Sequence, residues 1–91
     1  MKSYNSLNEQ PEWFNTSSIS ETLDAREMLK AGIHPLEEVI RRTSEMQTGR
    51  IFELITPFPP MPLIDKAKAN GLESYSVAVT DLEIHTFFFK Q

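Results

Sequence analysis

Four residues near the start of the chain have the side chains best suited to bind a small ligand. They are Asp24, Arg26, His34 and Pro35. A guanidinium can hold a carboxylate or a phosphate through two parallel hydrogen bonds, and an imidazole can exchange a proton near neutral pH. A helix that starts at Pro35 would add free backbone N–H groups. The cluster therefore predicts a site for a small anion or for the carboxylate of a partner.

The same residues also have a purely structural interpretation, which we favour. Asp24 can cap the turn that follows it and pair with Arg26, while His34 caps the helix or faces water. Glu37 and Glu38 lie next to the start of the helix, where two carboxylates would repel an anion. Both interpretations stay open at the level of sequence.

Metal and covalent chemistry have little support in the sequence. The chain contains no cysteine, which excludes a thiolate metal site, a disulfide and a cysteine nucleophile. His34 and His85 lie far apart in the chain and lack the local spacing of a ligand motif. The glycines are isolated, so they form no phosphate-binding loop. We therefore expect no metal and no cofactor, and we regard the chain as more a binding protein than an enzyme.

A second group of residues is suited to contact a partner protein. Its members are Trp13, Phe58, Pro60, Pro62, Phe87 and Phe89. Trp13 and Phe14 stand together in an otherwise polar segment, and exposing two large aromatics would forfeit about 3–5 kcal/mol of burial. They are expected to dock on the chain's own domain, or else on a second subunit or partner.

The loop around Phe58 and the run Phe87–Phe89 each allow two interpretations. Prolines hold the loop rigid, so Phe58 is either an anchor for a partner or a plug for the end of the sheet. Successive strand residues face opposite ways, so at least one phenylalanine of the run lies on the face that helices leave open. Tyr75, Trp13 of the arm or a second copy of the chain would cover it. We therefore expect a homodimer or an arm-covered sheet.

Charge and hydropathy narrow the choice of partners. The 91 residues have a formal charge of −4, which argues against a general attraction to nucleic acid or to anionic lipid. No apolar run approaches the ~18–20 residues needed to cross a bilayer, and the first residues lack the apolar stretch of a secretory signal. We expect a cytoplasmic protein whose partner is another protein or itself, and neither nucleic acid nor a membrane.

The remaining pattern predicts an arm over residues 1–18, partly extended or disordered, and an α/β domain over 19–91. Strands are expected at 19–24, 50–56, 74–80 and 82–90. A short helical turn is expected at 25–31, and helices are expected to start at Pro35 and near Pro62 and to end by Gly49 and Gly71. This order predicts a two-layer β-α-β-α-β-β sandwich, in which a four-stranded mixed sheet carries two helices on one face.

An ordered set of short motifs then resembles a known family. The motifs are Leu23-Asp24-Ala25-Arg26, Gly32-Ile33-His34-Pro35-Leu36, Gly49, Phe58-x-Pro60-x-Pro62-Leu63 and Gly71. Over residues 19–90 the chain is similar to domain-of-unknown-function family 2249, within the TusA/SirA-like fold group of small bacterial sulfur carriers. The resemblance implies the same β-α-β-α-β-β sandwich and a prokaryotic cytoplasmic setting.

The resemblance also bears on function. True sulfur carriers have a Cys-Pro-x-Pro motif where their first helix begins, and the cysteine accepts a persulfide. Pro35 corresponds to the second proline of that motif, which places Gly32 where the cysteine would be and Ile33 where the first proline would be. Without a thiol the chain cannot carry sulfur in this way. The resemblance therefore implies a non-catalytic protein-binding or regulatory module, the alternative being a ligand-binding protein or enzyme that uses Asp24, Arg26 and His34.

Overall fold

A computed structural model describes residues 10–91 of the chain. The first half of the predicted arm, residues 1–9, lies outside the described residues, so the expectation for that stretch stays a prediction. The strands are β1 (Ile19–Asp24), β2 (Ile51–Thr56), β3 (Leu72–Thr80) and β4 (Glu83–Lys90), and the α-helices are α1 (Arg26–Lys30), α2 (Leu36–Glu45) and α3 (Met61–Ala69). A single 3₁₀ turn, Thr16–Ser18, precedes β1.

The four strands form one mixed sheet in the order β1-β2-β4-β3. Strand β1 runs parallel to β2, while β4 is antiparallel to both β2 and β3. The carboxyl ends of β1, β2 and β3 and the start of β4 therefore meet at one end of the sheet. The predicted fold class, an α/β sandwich on a four-stranded mixed sheet, is confirmed.

The helices cover one face of the sheet, called here the helix face. Phe52, Leu54 and Phe88 on this face are fully buried, and they form one core with Val39 of α2 and Ala67 of α3. Large-to-small substitutions in such a core cost about 2–5 kcal/mol each. The buried strand predicted at 50–56 is the central β2, which is why its apolar residues face both ways.

The arm crosses the opposite, open face of the sheet. Trp13 stacks on Phe89 with a centroid distance of 4.9 Å and an interplanar angle of 10°. Phe14 meets Phe87 edge-on at 4.7 Å and Tyr75 at 5.2 Å. Of the occupants considered for this face, the structure therefore places the chain's own arm over the aromatic half, and Phe87 is only 6% exposed.

Several boundaries differ from the sequence expectation. The short turn is the five-residue helix α1, so three helices pack on the sheet rather than two. Pro35 caps α2 from just outside it, because its carbonyl accepts the first helical hydrogen bond, from Val39 N–H at 2.9 Å. The helix ends at Glu45, before Gly49. Gly32 has a φ of +82°, a left-handed conformation that favours glycine and explains this residue without a functional role.

Candidate functional site

Asp24 and Arg26 form a closed pair at the carboxyl end of β1. The Arg26 guanidinium donates to both Asp24 carboxylate oxygens, at 2.9 and 2.7 Å, and the Arg26 backbone N–H donates to Asp24 Oδ1 at 3.1 Å. The side-chain hydrogen bonds from Arg26 lower the pKa of Asp24. The guanidinium also lies 3.5 Å from a Glu83 oxygen. Its hydrogen-bonding edge is thus occupied by carboxylates of the chain itself, as the structural interpretation expected.

The pair belongs to a larger polar network on the uncovered half of the open face. His85 Nδ1 lies 2.6 Å from Glu53 Oε2, and His85 Nε2 lies 2.7 Å from Glu83 Oε2. Glu53 accepts a further hydrogen bond from Thr22 Oγ1 at 2.9 Å. Because both ring nitrogens face carboxylates, a doubly protonated imidazole satisfies the network best. Glu83 links His85 to Arg26, so each carboxylate of this network contacts a guanidinium or the imidazole.

Burial and hydrogen bonding have opposite effects on the pKa of His85. Its side chain is only 19% exposed. Desolvation therefore pulls its pKa down, but the hydrogen bonds to Glu83 and Glu53 outweigh this effect and the pKa is raised overall. The two carboxylates lie at opposite nitrogens of the ring and do not converge on one point. Within residues 10–91 no group of three or more histidine or acidic side chains is placed to hold a metal ion.

A groove opens on the helix side, between α1 and the starts of α2 and α3. Its volume is about 310 Å³, near the lower end of the range for small-molecule pockets. The groove is lined by Leu29, His34, Pro35, Leu36, Thr56, Phe58, Pro60, Pro62, Leu63 and Lys66. Apolar side chains and prolines form most of this surface, and one of them, Phe58, is 49% exposed.

The apolar character continues beyond the groove. Among residues 10–91, the exposed large apolar side chains are Ile33, Phe58, Met61, Val79 and Leu82. All five lie in loops, near strand ends or at the start of α3, at the end of the sheet where β1, β2 and β3 finish and β4 begins. We call these five residues together the apolar end. Surface apolar residues scattered singly need no explanation, but a concentration at one end is typical of an interaction surface.

The structure regroups the residues that the sequence singled out. His34 and Pro35, expected to join Asp24 and Arg26, line the groove with Phe58, Pro60 and Pro62 instead. Asp24 and Arg26 line a neighbouring cavity of about 540 Å³, which shares Leu29 and Phe58 with the groove. Helix α1 lies between the end of β1 and the start of α2 in the chain, and the two pairs of residues line adjacent cavities rather than one. Trp13, Phe87 and Phe89 contact one another through the arm and lie away from the groove.

Sequence reasoning missed Glu53, Glu83 and Lys66. Glu53 and His85 lie on neighbouring strands and on the same face, two residues out of register, since Glu53 pairs with Phe87 and His85 with Ile55. Only the strand register brings them together, and neither local spacing nor composition reports it. The one indication in the sequence is that Glu53 is a charged residue inside the predicted buried strand at 50–56. Lys66 lies in α3, and the charged residues of this helix are typical of an ordinary solvent-exposed face.

Comparison of the chain with family models, curated proteins and solved structures finds no match. The resemblance to family 2249 therefore stays a prediction based on the motifs alone. Among the described helices, none is long and apolar enough to cross a membrane.

Proposed function

We propose that the chain is a non-catalytic protein-binding module whose partner surface is the groove together with the apolar end. The observation that supports this most is the gathering of Ile33, Phe58, Met61, Val79 and Leu82 at one end of the sheet. A few large side chains that become fully buried in an interface carry most of its binding energy, and Phe58 is the exposed aromatic among the residues that line the groove. The rigid prolines beside Phe58 reduce the entropy that ordering this surface would cost on binding.

The alternative, an anion-binding protein or enzyme at Asp24, Arg26 and His34, has weaker support. The Arg26 guanidinium is already paired with Asp24 and faces Glu83, and His34 lines the groove rather than the Asp24 cavity. In keeping with the resemblance, the proposed module acts in a bacterial cytoplasm as a thiol-free relative of the sulfur carriers.

Site-specific photo-crosslinking in cells tests this proposal. A photoreactive phenylalanine analogue replaces Phe58 in one variant, and replaces Thr48 in a matched control, because Thr48 is exposed at the opposite end of the sheet. We expect a discrete crosslinked partner from position 58 and none from position 48. The partner is then purified, and its affinity for Phe58→Ala should fall by about tenfold.

Two results would contradict the proposal. One is an identical crosslinking pattern from the two positions, which would mean that neighbours of position 58 are random encounters. The other is an unchanged affinity of the purified partner for Phe58→Ala, which would place the contact elsewhere on the molecule.

A further inference from the structure

The charges around the groove differ from those of the molecule as a whole. The chain has thirteen Asp and Glu residues against nine Lys and Arg. In spite of this excess, no acidic side chain among residues 10–91 lines the groove, and the only ionisable residues of that range in its lining are His34 and Lys66. Glu38, which the sequence places near the start of α2, turns to Arg41 and Arg42 at 2.7 and 2.6 Å. The lining of the groove therefore carries the positive charge of Lys66 and no negative charge from the described residues, although the protein as a whole is acidic.

Lys66 also differs from most other cations of the chain. Of the nine Lys and Arg residues, Lys2 lies outside the described residues. Arg26, Lys30, Arg41 and Arg42 pair with carboxylates, and Lys90 donates to two carbonyl oxygens at the end of α2. Within residues 10–91, Lys66 contacts no carboxylate. Arg50 and Lys68 also pair with no carboxylate in this range, but Arg50 lies just before β2, at the opposite end of the sheet, and Lys68 borders a different cavity. Lys66 is therefore the one such cation that lines the groove.

We infer that the groove recognises a segment of a partner protein in which an apolar side chain is flanked by an aspartate or a glutamate. The apolar side chain lies among Phe58, Leu36 and Leu63, and the carboxylate pairs with Lys66. This inference rests on the proposed function and adds the chemistry of the partner.

A segment of a protein fits the surface better than a small apolar acid. The groove accommodates only a small ligand, but Ile33 and Met61 continue the apolar surface beyond the residues that line it. A small acid would leave these side chains in contact with water, whereas a longer chain crosses them and buries additional apolar area. The carboxylate then supplies orientation and specificity, because a basic flanking residue would meet Lys66 as a like charge.

A display library of random short peptides, selected against the immobilised full-length protein, tests the inference directly. We expect recovered peptides to share a large apolar residue with Asp or Glu within two positions of it. A consensus peptide is then synthesised with a fluorescent label, and its dissociation constant is measured for wild type, Lys66→Gln and the matched control Lys68→Gln. We expect Lys66→Gln to weaken binding about threefold and Lys68→Gln to leave it unchanged.

The outcomes separate the inference from the proposed function. Some peptides should lose about tenfold in affinity for Phe58→Ala. If these peptides carry no acidic residue, or bind Lys66→Gln as tightly as wild type, the inference is overturned. The proposal of a protein-binding module is unaffected by that result. Failure to recover any peptide that is sensitive to Phe58→Ala would overturn both. A consensus with Lys or Arg beside the apolar residue would also overturn the inference, because the charge of the peptide would be positive where the inference requires a negative one.

Discussion

The two surfaces that the sequence marked for partner contact are different in kind. On the open face, Trp13 and Phe14 cover Phe87 and Phe89, and the charged groups beside them pair with one another. At the groove, Phe58 is half exposed and Lys66 contacts no carboxylate of the described chain. Aromatic residues on a surface therefore indicate binding only where the chain does not itself satisfy them.

The largest expected contrast between the two surfaces is in stability. Phe87→Ala should lower the free energy of unfolding by about 3 kcal/mol, because it leaves a cavity beneath Phe14 and Tyr75. Phe58→Ala should change it by less than about 0.5 kcal/mol, because the side chain is already half in water. Urea unfolding of both variants gives the two values.

A milder variant, Phe87→Leu, covers the case in which Phe87→Ala does not fold. Equal losses for the variants at positions 58 and 87 would show that Phe58 plugs the end of the sheet, and the proposed contact surface would then lose its anchor.

Much of this contrast could not be read from the sequence. The strands, the two longer helices and the central place of β2 followed from apolar periodicity and from proline and glycine positions, which are local signals. Which aromatics face one another depends on contacts between distant segments, such as Trp13 on Phe89. The sequence allowed the arm, a second copy or Tyr75 as cover for the open face, and only tertiary structure distinguishes among them.

Contacts between distant segments also determine the candidate site, so the sequence could not predict how it is assembled. Pro35 and Pro60 are buried, and both line the groove with Phe58, yet they belong to loops that are distant in sequence. Each loop was recognised separately, one as a ligand site and one as a partner site. Their convergence depends on the parallel pairing of β1 with β2, which places the segments after the two strands at the same end of the sheet.

The next largest effect concerns the arm. Replacing both Trp13 and Phe14 by alanine should lower the free energy of unfolding by about 2 kcal/mol, since it removes apolar burial and aromatic packing on Phe87 and Phe89. Glu12→Ala, an exposed neighbour, serves as the control and should change little. Light scattering with size exclusion should show association of the double variant, whose open face is uncovered.

An unchanged unfolding midpoint in the double variant would mean that the arm adds no stability to the open face. Association of the wild-type protein as strongly as the double variant would favour the homodimer that the sequence allowed.

A smaller effect is expected from pH. The pKa of His85 is raised by Glu83 and Glu53, so its stabilising contribution is complete below the unfolded pKa of about 6.5. That contribution is lost as the pH rises through the higher, folded pKa. Urea midpoints of the wild type should therefore fall between about pH 6 and pH 8.5 by more than those of His85→Gln.

His34→Gln is the matched control for this measurement. His34 is exposed and lies outside the network of Glu53, Glu83 and His85, so its replacement controls for the loss of an imidazole elsewhere on the surface. If His34→Gln flattened the pH dependence of the urea midpoint and His85→Gln did not, the network on the open face would contribute nothing to the pH dependence of stability.

The smallest expected effect tests whether the charges of the open face bind an external anion. Inorganic phosphate at about 10 mM should shift the melting temperature no more than chloride at the same ionic strength, because Arg26 is already paired with Asp24 and Glu83. A site with a dissociation constant of about 0.1 mM would instead add about 2.7 kcal/mol to the free energy of unfolding under these conditions. A phosphate-specific shift that Arg26→Gln abolished and Lys66→Gln retained would show that the Asp24 pair opens to an anion. The open face would then be a ligand site, and the distinction between the two surfaces would fail.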